Sequence, residues 1–226
     1  MKTLQDIGES AAIERICSRL PDSAEVIVGP GDDCAVIRPA GGGGKEWLLT
    51  SDPVIEGVHF LADTPRRSVG RKAIGRALSD IAAMGGEPAW ALVDIAAPSG
   101  TPVATLDELC GGAIDCAQQY GLAIVGGDMS EGPALELHVF AIGSIPAGQA
   151  VLRSGAAQGD ILFVTNSLGG SASGKHIDFE PRIREGAWLR DWANAMIDVS
   201  DGLATDLRHL AEMSGLGCEQ IGRAHV

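Results

Sequence analysis

One acidic residue inside an apolar helical stripe constrains this chain most. Leu78-Ser79-Asp80-Ile81-Ala82-Ala83-Met84-Gly85-Gly86-Glu87-Pro88 reads as the end of a helix that begins near Val69. Gly85 and Gly86 supply a left-handed stop, and Pro88 forbids continuation. At helical spacing Ala73, Ala77, Asp80 and Met84 share one face, so Asp80 sits among small apolar side chains. An ionised carboxylate is costly there unless a cation meets it. Alone, Asp80 would read as an ordinary helix-end aspartate. Repetition changes the balance, because Gly31-Asp32-Asp33, Ser51-Asp52, Gly127-Asp128 and Asp198-Val199-Ser200-Asp201-Gly202 also place aspartates at loop positions, mostly beside glycine. The expectation is that they converge with Asp80 on magnesium and phosphate. Magnesium takes oxygen ligands and is usually held by few carboxylates plus substrate phosphates. Phosphoryl transfer in turn needs metals bridging phosphates and an aligned acceptor.

The formal net charge of −13 argues against nucleic acid or an anionic membrane as partner, since both need basic surface. Aromatics make up only 4%, so the core must be built from Ala, Val, Ile and Leu. Five cysteines with no C-x-x-C pair fit reduced thiols better than disulfides or structural zinc. No segment reaches the roughly 18 apolar residues that span a bilayer. A cytoplasmic protein is expected.

Read in order, the chain predicts a helix over 4–20, short strands at 26–28 and 34–37, and a flexible tip at Gly41 to Gly44. A strand at 47–50 leads into Ser51-Asp52-Pro53, and the helix carrying Asp80 follows. Then come a strand at 89–96, a helix from about 106 to 120, and strands at 122–125 and 135–145. Pro146-Ala147-Gly148 reads as a linker, followed by a strand at 161–165 and helices near 182–193 and 201–213. The class is α+β, with residues 1–146 as a metal- and nucleotide-binding, dimerising domain and 147–226 as part of a second.

A phosphate-loop decoy is present. Gly169-Gly170-Ser171-Ala172-Ser173-Gly174-Lys175 satisfies G-x-x-x-x-G-K, but His176 stands where Ser or Thr should ligate magnesium, and Pro181 interrupts the required helix. It reads as a coincidence.

The aspartate motifs carry a family resemblance. Gly31-Asp32-Asp33-Cys34-Ala35, Thr50-Ser51-Asp52 with Glu56-Gly57-Val58-His59-Phe60, Leu78 to Gly85, Gly126-Gly127-Asp128, and Ile197 to Leu203 resemble thiamine-monophosphate kinases of the aminoimidazole-ribonucleotide synthetase-like superfamily. The resemblance spans nearly the whole chain. It implies a two-domain fold, a homodimer joined through a sheet-based barrel, and ATP-dependent phosphorylation of thiamine monophosphate. Carried over position by position, it implies that Asp32, Thr50, Ser51, Asp52, Asp80, Asp128 and Asp198 help bind magnesium. Gly127, Asp128, Arg153 and Ser200 would contact ATP; His59 and Asp201 would face thiamine phosphate, with Asp201 the candidate catalytic residue.

Met129-Ser130-Glu131-Gly132 departs from the T-T-R-G common in the family, and the stretch from Gly174 to Pro181 lacks a helical segment many relatives carry. The G-G-E-D-Y motif of the second domain is also missing, so that domain is expected to be truncated, with residues from about 220 artefactual. Two alternatives remain at this point. One is another ATP-using superfamily member, such as a purine-pathway synthetase, a hydrogenase-maturation protein or a selenophosphate synthetase. The other is an inactive nucleotide- and metal-binding dimerisation module.

Overall fold

The computed structural model describes residues 2–219; the tail expected to be artefactual lies outside the described residues. Two short helices, α1 (Leu4–Ile7) and α2 (Glu9–Cys17), open the chain. One continuous helix was expected there, and Gly8 divides it by turning to φ 77. Then follow β1 (Val26–Val28), β2 (Ala35–Ile37), β3 (Lys45–Ile55), α3 (Arg66–Ala83), β4 (Glu87–Ala97), α4 (Val103–Tyr120), β5 (Ala123–Gly126), β6 (Met129–Glu131) and β7 (Glu136–Pro146). The remainder carries α5 (Ile183–Leu189) and α6 (Leu203–Met213).

Seven strands form one sheet in the order β1-β2-β3-β7-β4-β5, with β6 also on β4. All pairings are antiparallel except β4–β5 and β4–β6, which are parallel and reached through the α4 crossover. Strand β7 alternates cleanly: Leu137, Val139, Ala141 and Ile145 are buried against the helices, while Phe140 and Ile142 face the other side.

Strands β3 and β4 are longer than the sequence suggests, with 11 residues each where strands at 47–50 and 89–96 were expected, whereas β7 has the expected 11. Strand β3 was expected to stop at Thr50, before Ser51-Asp52-Pro53, yet pairing with β7 continues through Pro53 to Ile55. The reason is local. Beyond Leu49 the strand has lost β2 and is bordered only by β7. Glu56 sends its N–H to the Leu135 carbonyl, just ahead of β7, whereas Ile55 sends its own outward to His59, so Pro53 shares the outward phase and forfeits no ladder bond.

Helix α3 is enclosed by the sheet, α4 and α5, and Val69, Ala73, Ile74, Ala77, Leu78 and Ile81 are all fully buried. Its crossing with α4 depends on two glycines. A Cβ on Gly70 would lie 1.9 Å from the Leu109 carbonyl oxygen, and one on Gly112 would lie 1.8 Å from that of Arg67. At the other end Gly186 of α5 meets the Ala82 carbonyl, where a Cβ would be 2.1 Å away.

The strand expected at 161–165 does not form; Ile161 and Phe163 are about four-fifths exposed, at 79% and 81%. Its apolar run has no neighbouring strand to pair with, and an isolated strand leaves its backbone groups unsatisfied. The G-x-x-x-x-G-K stretch is a short 3-10 turn whose Lys175 binds the Ser167 carbonyl, with no helix after it. These features agree with its rejection as a phosphate loop.

Because both helix backbones meet at the glycines, Gly112→Ala must push α3 and α4 apart. We expect it to cost about 1–3 kcal/mol and to lower the melting temperature by several degrees. A variant melting with the wild type would show that the helices slide at no cost.

Candidate active site

Three elements far apart in sequence deliver three carboxylates to one point. Asp33 comes from the β1–β2 turn, Asp80 from the last turns of α3, and Asp198 from the loop before α6. One oxygen from each lies within 4.8 Å of the others. Thr50, on the helix-facing side of β3, donates its hydroxyl to Asp80. Burial pushes the Asp80 carboxyl up to about 8, with the Asp198 charge adding to the effect and the Thr50 bond opposing it. Burial likewise raises Asp198 to about 7, reinforced by Asp33 and opposed by a hydrogen bond from Ser79. Like charges confined together disfavour ionisation of all of them. The donors are all oxygen, which fits a hard divalent cation and not a thiophilic one.

Basic groups surround this cluster. Arg153 grips Asp33 with both faces of its fork, Nη2 at 2.5 Å and Nε at 3.3 Å, and its backbone N–H donates to Asp32 at 3.1 Å. Asp32 therefore positions Arg153, and its neighbour Asp33 joins the cluster. Asp52 accepts Arg76 at 2.7 Å. Ser51 points to the opposite, exposed face of β3. His59 accepts the Ile55 N–H on Nδ1 at 3.0 Å, so its proton lies on Nε2. Ser200 and Asp201 are exposed, and Asp206 holds their loop by accepting the N–H groups of Asp201 and Gly202 at 3.2 and 3.0 Å. Apart from Ile55, these residues line one open cleft of about 2500 Å³.

Gly127 and Asp128 lie elsewhere. The Asp128 carbonyl accepts the Ile95 N–H, beside β4. Three strand spacings, roughly 14 Å, separate that edge from β3. They border a second pocket of about 390 Å³, lined by Val93, Ile95, Ala113, Ile124 and Leu137. A Cβ at Gly127 would lie 1.9 Å from the Val93 carbonyl oxygen, which explains glycine there.

The sequence reading missed Asp33 as a cluster member, although it stood inside the quoted motif. It also missed Lys72, Arg76 and Asp206. Lys72 and Arg76 sit at i and i+4 of α3, on the turn before Asp80, and their shared phase with Asp80 was the available signal.

Residues 31–145 match the family model described as AIR synthase related protein, N-terminal domain. A thiamine-monophosphate kinase of Mycobacterium tuberculosis (strain CDC 1551 / Oshkosh) is 39% identical, covering 95% of this chain and 69% of the relative. That of Escherichia coli (strain K12) is 35% identical, covering 93% of this chain and 70% of the relative. The chain belongs to the thiamine-monophosphate kinase family. The solved structure of AaThiL complexed with AMPPCP and TMP superposes with a TM-score of 0.86 at 31% identity, covering 95% of this chain and 73% of that one. E. coli HypE, a hydrogenase maturation protein, shares the fold at a TM-score of 0.65 and 24% identity, covering 75% of this chain and 58% of that one.

The raised carboxyls set the pH response. Between about pH 4 and pH 8 the folded chain holds protons on Asp80 and Asp198 that the unfolded chain has released, so stability falls as pH rises through that window. Without divalent ions the melting temperature should be lower at pH 8 than at pH 5. Asp80→Asn should flatten that slope and remove the stabilisation by magnesium at pH 8. If Asp80→Asn instead melts below wild type at pH 8 and keeps its magnesium response, Asp80 is only structural.

Proposed function

We propose that this chain transfers the γ-phosphoryl group of ATP to the phosphate of thiamine monophosphate, giving thiamine diphosphate and ADP. The observation that carries the reading is the Asp33–Asp80–Asp198 cluster beside Arg153 and His59, in a member of the thiamine-monophosphate kinase family. In the transfer an acceptor phosphate oxygen forms a bond to the γ-phosphorus as the bond to the β-phosphate oxygen breaks, and ADP leaves with the electron pair. The acceptor oxygen is already anionic, so no strong general base is needed. Asp33, Asp80 and Asp198, with Thr50 and Asp52 nearby, would hold magnesium, which supplies the positive charge that offsets repulsion between the two anions.

Each remaining residue takes a part in the same reading. Arg153 serves the ATP phosphates, because a guanidinium fork matches phosphate oxygens bidentately. Ser200 sits at the same rim of the cleft. Gly127 and Asp128 take the purine end in the small pocket, whose apolar lining suits a flat base. His59 and Asp201 face thiamine phosphate, Asp201 beside the transferring group.

We further propose a cytoplasmic homodimer, with residues 1–146 as the dimerising domain and the remainder belonging to a second. No helix among the described residues is long and apolar enough to cross a membrane, and all five cysteines are free. The sheet face opposite the helices carries Trp47, Leu49, Phe140, Ile142, Trp90 and Leu92, with no helix over them among the described residues. Trp47 and Trp90 stack there at 5.1 Å, and Trp90 and Leu92 remain 43% and 41% exposed. Such a patch marks an interface.

His59→Ala should raise the KM for thiamine monophosphate at least several-fold and leave that for ATP within about twofold. Equal losses for both substrates would remove His59 from the acceptor site. Leu92→Asp should shift the chain to monomer in analytical ultracentrifugation, and an unchanged dimer would place the interface elsewhere.

A further inference from the structure

Two cations on α3 are unexplained by the packing around them. Lys72 is 6% exposed, and its Nζ bonds the His59 carbonyl oxygen at 2.6 Å. Among the described residues no carboxylate pairs with it. The charge that bears on it is that of another cation, Arg76, one helical turn further on. Burial, and then the Arg76 charge, lower Lys72 to about 8. Arg76 spends one amino group on Asp52, while its Nε is buried without a hydrogen-bond partner.

Two like charges at i and i+4 repel, and burying a cation without a counter-charge is costly. In a chain of net charge −13 there is no shortage of carboxylates to neutralise them. Asp52 bonds Arg76, and Asp80 and Asp198 attract it from further off, while no carboxylate bears on Lys72, whose charge is left uncompensated. Lys72, Arg76 and His59 also line the same cleft. His59 spends Nδ1 on Ile55, so its Nε2–H remains to donate, and burial followed by the Arg76 and Lys72 charges keeps the ring neutral. Lys72 Nζ, Arg76 Nε and His59 Nε2 together offer several N–H groups and net positive charge at the cleft wall. A phosphomonoester dianion has the matching set of acceptor oxygens.

We propose that Lys72 and Arg76 hold the phosphate of the acceptor substrate, with His59 as third donor. This rests on the kinase reading for the identity of the acceptor, thiamine monophosphate, and adds the residues that select a phosphorylated acceptor over free thiamine. The Arg76–Asp52 bond ties that phosphate to the edge of the carboxylate cluster. One oxygen is thereby turned toward the γ-phosphate of ATP while the others stay on the cations.

The test is calorimetric binding by the whole chain of thiamine monophosphate, thiamine, inorganic phosphate and Mg-ATP. It compares wild type with Lys72→Met, Arg76→Gln and Arg76→Lys. Lys72→Met replaces a buried cation by an apolar side chain of similar length and is expected to fold; Arg76→Lys keeps the charge. Wild type should bind thiamine monophosphate at least tenfold more tightly than thiamine. Lys72→Met and Arg76→Gln should abolish that preference with Mg-ATP affinity within about twofold, and Arg76→Lys should retain part of it. If the neutral variants keep the preference, or wild type shows none while still binding Mg-ATP, the assignment is overturned and the kinase reading stands. A loss confined to Mg-ATP would overturn it as well, by moving the two cations to the nucleotide. If wild type binds inorganic phosphate, the variants lose it, and neither Mg-ATP nor thiamine binds, the anion site stands and the kinase reading falls.

Discussion

Three carboxylates brought within 4.8 Å of one another are the constraint on which the rest of this structure depends. Their mutual repulsion opposes the fold, so the scaffold has to hold them by force of packing. Helix α3 does most of this. Its apolar stripe is sealed, with Ala73, Ala77, Leu78 and Ile81 fully buried, and at Gly70 its backbone is pressed directly on α4. With α3 fixed, Asp80 has little freedom, and Thr50 on β3 limits it further. Asp33 is steered by Arg153, and the loop of Asp198 is tied down by the buried Asp206 at the head of α6. Oxygens arranged before any ion arrives need little reorganisation when it binds, which is the general advantage of a preorganised site.

Charge is sorted over short distances, and the net value of −13 conceals this. One α3 face presents Lys72, Arg76 and Asp80 in succession, running from positive to negative within three turns. Such a gradient offers an anion and a cation separate places a short distance apart on one helix. Arg76 and Arg153 each contact an aspartate of the site, so neither sign is left isolated from the other.

Much of this was legible in the sequence. The phase of Asp80 within its apolar stripe, the Gly85 stop and the order of the aspartate motifs all follow from local rules, and each has its counterpart in the fold. What was not legible depended on tertiary context. Ser51-Asp52-Pro53 looked like a strand end because one cannot see from sequence that β2 has already stopped beside it. The run at 161–165 has strand composition, but composition does not supply a neighbour to pair with. Lys72 and Arg76 resemble the solvated face of a helix, and only the placement of His59 and Asp52 above them shows that this face is covered. Asp33 was overlooked beside Asp32 because two adjacent aspartates on a turn point in different directions, and which one turns inward is settled by Arg153.

The sheet order has a consequence for how the molecule is made. Strand β7 is the last of the seven to be synthesised, yet it lies in the middle, between β3 and β4. Until residue 146 is available, the earlier strands amount to two separate ribbons, β1-β2-β3 and β4-β5-β6, with no shared hydrogen bonds. Insertion of β7 joins them along its full length, a non-local step of the kind that slows folding. Asp198 then lies a further stretch of chain behind. A nascent polypeptide would therefore complete its framework first and gain its full carboxylate cluster only afterwards. The cluster thus forms late in biogenesis, when the framework that holds its carboxylates together already exists.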